Sequence, residues 1–329
     1  MIAREGGKNI CEIESATSSV SAALSYGRKR SSADFGAKQR RKEREHLEIW
    51  YDAVDVNVCL QGGSSLRFDH SSGQYLDREG ARIYFESTGA SSSRTVVLLH
   101  GGLGSLKDFN SFLGLLPPEF RYVGIDFRGH GRSTIGHEPL RYALYQEDVN
   151  AVVRHIGAES FSLAGFSDGG IVGYRIAAAP GSRVDALFTL GAQWRLEADD
   201  PSREMLGGLT APMWEEMFPE SVAHYREVNP QPDFEKLVGE VVALWMDESP
   251  EGYPRESVAE IRTPTLIARG DDDPLFSMNE ALLLRDRIPG AGFFNIPFAG
   301  HDAFEDAPEL FAAALSDFLR NPRKRQSEE

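Results

Sequence analysis

Ser167 stands in the run Leu163-Ala164-Gly165-Phe166-Ser167-Asp168-Gly169-Gly170, a single hydroxyl among small or flexible residues. A serine hydroxyl attacks an acyl carbon at neutral pH only when a base takes its proton and a carboxylate orients that base. Candidates for both stand farther along the chain. Asp271, Asp272 and Asp273 follow the apolar run Thr265 to Ala268, and His301 follows the run Phe293 to Ile296. The order is serine, acid, base. A Gly-x-Ser-x-Gly pattern also recurs by chance, so its meaning rests on the elements that carry it.

Those elements are readable. "QYLDREGARIYFESTG" gives two alternating runs about Glu79-Gly80, which predicts a hairpin. Short apolar runs follow at Val96 to Leu99, Tyr122 to Ile125, Phe161 to Ala164, Ala186 to Leu190, Thr265 to Ala268 and Phe293 to Ile296. Helix-like stretches separate them, at Leu106 to Leu116, Tyr142 to Ile156, Ser167 to Ala179, Ser277 to Arg287 and Ala307 to Leu319. Alternation of this kind predicts an α/β fold, a mostly parallel sheet flanked by helices, with sites at the C-terminal strand ends. Ser167 then falls between a strand and a helix. Glycines on either side permit a sharp turn that lifts the hydroxyl above the sheet edge, where helix N-terminal amides favour developing negative charge.

Composition narrows the class. The 329 residues are 41% hydrophobic, enough for one large globular domain, and the formal net charge of −15 argues against nucleic acid as a partner. Cys11 and Cys59 form no disulfide or metal-ligand framework, and no apolar run reaches the roughly 18 residues of a membrane span. With no secretory apolar segment at the start, the expected setting is cytoplasmic, away from the membrane. Residues 1 to 46 hold ten Lys/Arg against six Asp/Glu, a net +4 that leaves −19 on the rest. We expect residues 1–72 to be a disordered basic extension with a short helix around Lys42 to Tyr51. Its clusters Arg28 to Arg30 and Lys38 to Lys42 read as a solvated tail or an unused upstream start in preference to a nuclear address.

Four motifs carry a resemblance: "HGGLG" at His100 to Gly104, "DFRGHGRS" at Asp126 to Ser133, "GFSDGG" at Gly165 to Gly170, and "GDDDPL" with "GHD" near the C-terminus. In this order and at matching strand ends they resemble the alpha/beta-hydrolase fold from about Tyr75 to Leu319. The resemblance implies Ser167 as nucleophile, His301 as general base and Asp273, the aspartate before Pro274, as the orienting acid. Asp271 and Asp272 remain open as alternatives. It implies an oxyanion hole made of backbone amides, those of Asp168 and Gly102, with Leu103 second to Gly102. His100, Asp126, Arg128 and His130 are expected to shape loops.

The "G-x-S-D-G-G" form resembles hydrolases that act on amino-acid esters. Asp168 would then meet a cationic substrate group, against the plainer reading that it binds neighbouring donors. The stretch between Gln193 and Ser257 has helical periodicity broken at prolines and resembles a family cap, giving a core of 73–193 and 256–322 and a helical cap of 194–255. Leu103, Trp194, Trp214 and Trp245 are candidate pocket walls. The expected activity is cleavage of a small or medium ester or related acyl substrate, with no cofactor and no metal. A perhydrolase or haloperoxidase, a C–C bond hydrolase and a non-catalytic ligand-binding module are the alternatives, and the oligomeric state is unknown from the sequence.

Overall fold

A computed structural model describes residues 66–91 and 94–324. The expected helix near Lys42 to Tyr51, both cysteines and the two basic clusters lie outside the described residues. Of the extension expected over 1–72, residues 66–72 are described, and they pack onto the fold. Phe68 is completely buried, and its amide and carbonyl both bond the side chain of Asn110. An aromatic flanked by polar residues carries no periodic signal, which is why the sequence reading drew the boundary too late.

Eight strands make one sheet: β1 (Gln74–Arg78), β2 (Ala81–Gly89), β3 (Thr95–Leu99), β4 (Arg121–Ile125), β5 (Phe161–Phe166), β6 (Val184–Leu190), β7 (Thr265–Gly270) and β8 (Gly292–Ile296). Their spatial order is β1-β2-β4-β3-β5-β6-β7-β8. β1 and β2 pair antiparallel about Arg78 and Ala81, β2 pairs antiparallel with β4, and every pairing from there to β8 is parallel. The central strands β3 to β6 are buried almost throughout because both faces are covered, while β1 and β2 at the edge keep exposed polar residues. Val97 and Leu99 of β3 enter one core, while Val96 and Leu98 enter the other. This is the period-2 alternation of a strand serving two layers at once.

Ten helices follow in chain order among the described residues. A 3₁₀ turn, Leu106–Phe109, runs into α1 (Asn110–Leu113), and then come α2 (Tyr142–His155) and α3 (Asp168–Ala178). The insertion between β6 and β7 folds as α4 (Ser202–Gly207), α5 (Ala211–Met217), α6 (Pro219–Val228) and α7 (Phe234–Trp245). The chain ends in α8 (Met278–Arg287), α9 (Ala303–Asp306) and α10 (Pro308–Arg320). In α7 the Asp233 carboxylate caps the Lys236 amide at 3.0 Å, and Phe234, Leu237, Val238, Val241, Leu244 and Trp245 form one buried stripe at helical spacing. That stripe sets Trp245 at the last turn, facing the core. Among the described residues no helix is long and apolar enough to cross a membrane.

Candidate active site

The turn after β5 is built for close approach. Ser167 adopts φ 49° and ψ −116°, a conformation that costs a non-glycine residue about 1–3 kcal/mol. Its surroundings hold it there. A Cβ on Gly165 would lie 2.4 Å from the Gly169 carbonyl, and one on Gly169 would lie 2.0 Å from the Leu99 carbonyl oxygen, so only glycine lets β3, β5 and α3 meet so closely. The Ser167 amide donates to Leu190 O at 2.8 Å, and its carbonyl accepts from Gly170 and Ile171 as α3 begins.

Asp273 and His301 meet beyond the ends of β7 and β8. His301 Nδ1 lies 3.0 Å from both Asp273 oxygens, and the carboxylate is fully buried. Asp273 Oδ1 also accepts the amides of Leu275 at 2.8 Å and Phe276 at 3.1 Å, which fixes its direction. A carboxylate in this place accepts only, so the Nδ1 proton belongs to His301 and Nε2 is left to take another. Asp271 bonds the exposed amide of Asn295 at 2.8 Å, and Asp272 is exposed. Of the three neighbours, Asp273 is the one joined to the imidazole. The His301 ring lies 5.0 Å from that of Phe166, the residue before Ser167. Among the described residues no hydrogen bond joins Ser167 Oγ to His301; such bonds are commonly long before substrate arrives.

The loop after β3 supplies amides. Leu103 is excluded as a donor because its N–H already bonds His130 Nε2 at 3.0 Å, with the backbone at φ 61°. Its side chain is 4% exposed and packs in the core, where it also lines a small cavity with Lys107 and His224. Among the described residues the Gly102 amide has no acceptor. The Asp168 amide opens α3 and has no intrahelical carbonyl to bond. His100 donates Nδ1–H to Gly101 O at 2.7 Å and accepts Phe127 N–H on Nε2 at 3.0 Å, while His130 donates to Arg128 O. Burial pulls both histidines below their ordinary range, His130 to about 3, so they stay neutral and hold the loops.

Asp168 lies 2% exposed beside the turn. Its Oδ1 accepts the Tyr142 hydroxyl at 2.9 Å and Trp245 Nε1 at 3.0 Å, and Oδ2 lies 3.1 Å from the same indole nitrogen. Burial pushes its pKa up to about 6 against the pull of Tyr142, Trp245 and the His301 charge. A Cβ on Gly102 would lie 2.7 Å from Asp168 Oδ2 and 2.7 Å from Trp245 Cζ2. The oxyanion loop, the residue after Ser167 and the last turn of the cap therefore converge. Tyr142 was missed by sequence reasoning, since nothing local in "LRYALYQ" says that its hydroxyl crosses to α3.

The other two candidate tryptophans, Trp194 and Trp214, have different partners. Trp194 is 1% exposed, donates to Glu280 Oε2 at 3.0 Å, and is flanked by the guanidinium groups of Arg195 and Arg287 at 4.4 and 5.2 Å. It posts the crossing from sheet to cap onto α8 and is no pocket wall. Trp214 is half-buried on α5 against Phe218, with ring centroids 4.6 Å apart. Among the described residues no three His, Cys, Asp or Glu side chains are grouped to hold a metal ion.

The fold and this arrangement define a class. The family model described as alpha/beta hydrolase fold matches residues 94–245. The chain has the alpha/beta-hydrolase fold and is a hydrolase. It is 27% identical over 274 residues to the AB hydrolase superfamily protein YisY of Bacillus subtilis, covering 75% of this chain and 98% of that one. A thermophilic esterase from Thermogutta terrifontis superposes with a TM-score of 0.63 at 22% identity, over 76% of this chain and 100% of the other. The enol-lactonase from Burkholderia xenovorans LB400 does so with a TM-score of 0.62 at 20% identity, over 75% and 100%.

Proposed function

We propose that the protein is a serine hydrolase that cleaves a small or medium ester, or a related acyl bond, through an acyl-enzyme. The observation that carries this is the His301 imidazole tied through Nδ1 to the buried Asp273 carboxylate, at the same sheet edge as a serine held at φ 49°. In this reading His301 Nε2 takes the Ser167 proton as Oγ attacks the carbonyl carbon. The amides of Gly102 and Asp168 stabilise the oxyanion. Collapse expels the leaving alcohol, which receives the proton from His301. Water, deprotonated in turn by His301, attacks the ester of Ser167 and frees the acid and the serine. Enol-lactones and esters, the substrates in the names of two structural neighbours, both fit an attack of this kind.

Asp168 supports a narrower reading, a substrate with a cationic group next to the scissile carbonyl. Its Oδ2 abuts Gly102, and a carboxylate pushed up by burial gains most from a positive charge. The test combines fluorophosphonate labelling, peptide mapping and hydrolysis of p-nitrophenyl and amino-acid esters by wild type, Ser167→Ala and Asp168→Asn. Label on Ser167, turnover lost in Ser167→Ala, and a larger loss on amino-acid than on neutral esters in Asp168→Asn are expected. A folded protein that neither labels nor turns over any ester overturns the hydrolytic mechanism, and equal losses in Asp168→Asn remove the cation preference alone.

A further inference from the structure

Three titratable side chains outside that chemistry touch in a row. His70 Nε2 lies 3.0 Å from Asp126 Oδ2, and His70 Nδ1 lies 2.9 Å from His224 Nε2, with 9° between the two imidazole planes. Each comes from a different element: His70 from the segment ahead of β1, Asp126 from the loop after β4, and His224 from the cap helix α6. His70 and Asp126 are 2% and 0% exposed. Asp126 also accepts the amides of Leu106 at 2.9 Å and Arg132 at 2.8 Å, so the same carboxylate holds the start of the 3₁₀ turn that follows the Gly102 loop. The C-terminal side of α6 is pinned separately. Asn229 Nδ2 donates to the carbonyls of Gly129, Gly131 and Ser133. One attachment of α6 is an amide that cannot titrate, and the other is a pair of imidazoles that can.

We propose that His70 and His224 are positioning residues that clasp α6 to Asp126, and that a second proton on the imidazole pair opens the clasp. The proton count requires this. His70 Nε2 stands 3.0 Å from Asp126 Oδ2 as an ion-pair contact outside hydrogen-bond geometry, and between His70 Nδ1 and His224 Nε2 there is room for one hydrogen, donated from either ring. Once both rings are cations, N–H faces N–H and the bond cannot form. A cavity of about 120 Å³, lined among others by Leu103, Lys107, Ser221 and His224, gives the proton a way in.

The charges facing the pair set the direction. Burial, then Lys107 on the 3₁₀ turn, then His70 hold His224 below the ordinary histidine range, with Glu227 and Asp126 opposing. Burial works to raise Asp126, but His70 outweighs it and keeps the carboxylate ionised. Asp108, pushed up to about 7 by burial, and His100 also face the pair, as do Tyr84, whose ring lies 5.8 Å from that of His70, and Arg132, whose guanidinium donates to the His70 carbonyl. Because closed His224 binds its proton less readily than an exposed histidine, the closed state is fully favoured above about pH 6.5 and is lost as pH falls. Opening would free α6 at its His224 end and leave Asn229 as the hinge. The clasp does not rest on the hydrolase reading.

Amide hydrogen exchange of α6, corrected for intrinsic rates, tests the clasp without any turnover. In wild type we expect at least a tenfold loss of protection over Pro219–Val228 between pH 8 and pH 5. His224→Gln keeps a side-chain N–H for His70 Nδ1 and cannot titrate, so its protection should be the same at both values. Asn229→Ala should weaken protection at both. Equal protection of wild-type α6 at pH 8 and pH 5, or an unchanged pH response in His224→Gln, overturns the proposal. Should the glutamine variant fail to fold, NMR titration of the wild-type His224 ring decides: a midpoint at or above about 6.5, that of a free histidine, also overturns it.

Discussion

His301 Nδ1 sits 3.0 Å from each oxygen of Asp273, a carboxylate with no exposed surface. The acceptor-only carboxylate dictates which imidazole nitrogen bears the proton. Asp273→Asn offers a donor in its place and inverts that choice. We expect kcat on a p-nitrophenyl ester to fall by about 10³- to 10⁴-fold with KM little changed. A loss below tenfold would remove Asp273 from the orienting role.

Gly191 follows β6 at φ 60°, and a Cβ there would lie 2.9 Å from His301 Cε1, 3.0 Å from its Nδ1 and 3.1 Å from Asp273 Oδ2. Gly191→Ala should push the imidazole off its carboxylate while leaving the sheet intact. The expected outcome is at least a tenfold loss of kcat with an unchanged far-ultraviolet circular dichroism spectrum. Full activity would show that the His301 loop yields freely.

Asp168 has a definite pH signature. Its folded pKa of about 6 lies above the unfolded value near 3.8, so the fold binds the proton more tightly and loses stability as pH rises through that interval. Asp168→Asn removes the buried charge and keeps an acceptor for Tyr142 and Trp245. It should gain about 2–3 kcal/mol relative to wild type at pH 8 and much less at pH 4, at about 1.4 kcal/mol per pK unit. Denaturant titrations of both proteins at the two pH values give the difference directly. A pH-independent difference would contradict the assignment.

Arg128 and Asp148 form a completely buried pair, with Nε–Oδ2 at 2.5 Å and Nη2–Oδ1 at 2.9 Å, and Arg128 also reaches the carbonyl of Arg78 in the hairpin. Arg128→Met should cost about 3 kcal/mol, because it leaves a carboxylate whose pKa burial already raises with only the Arg78 guanidinium, 3.6 Å away, as its charge partner. Adding Asp148→Leu should recover part of that loss. Denaturation midpoints of the single and double variants check it; a double variant no more stable than Arg128→Met would show that the loss lies in the hairpin contact.

The strand-turn-helix around Ser167 was legible because its demands are local. Gly165, Gly169 and Gly170 appear where any Cβ would strike backbone or a neighbouring methyl. The hairpin was legible for the same reason, with Glu79 and Gly80 both at positive φ. Trp194 and Trp245 show the limit. Both read as large apolar residues of a cap, yet one bonds Glu280 far from the nucleophile turn and the other bonds Asp168 beside it. Residue type predicts burial but not the partner on the other side.

By itself the sequence determined the order of strands and helices, the serine at the turn and the histidine after the last strand, since periodicity and glycine placement act within a few residues. Only the tertiary structure decided which of three adjacent aspartates meets His301, that the Leu103 amide is already spent on His130, and that Asp168 faces Tyr142 and Trp245. It also brought His70 to His224 across 154 positions. Each of these depends on burial and on partners distant in the chain, and neither leaves a mark on the neighbouring residues.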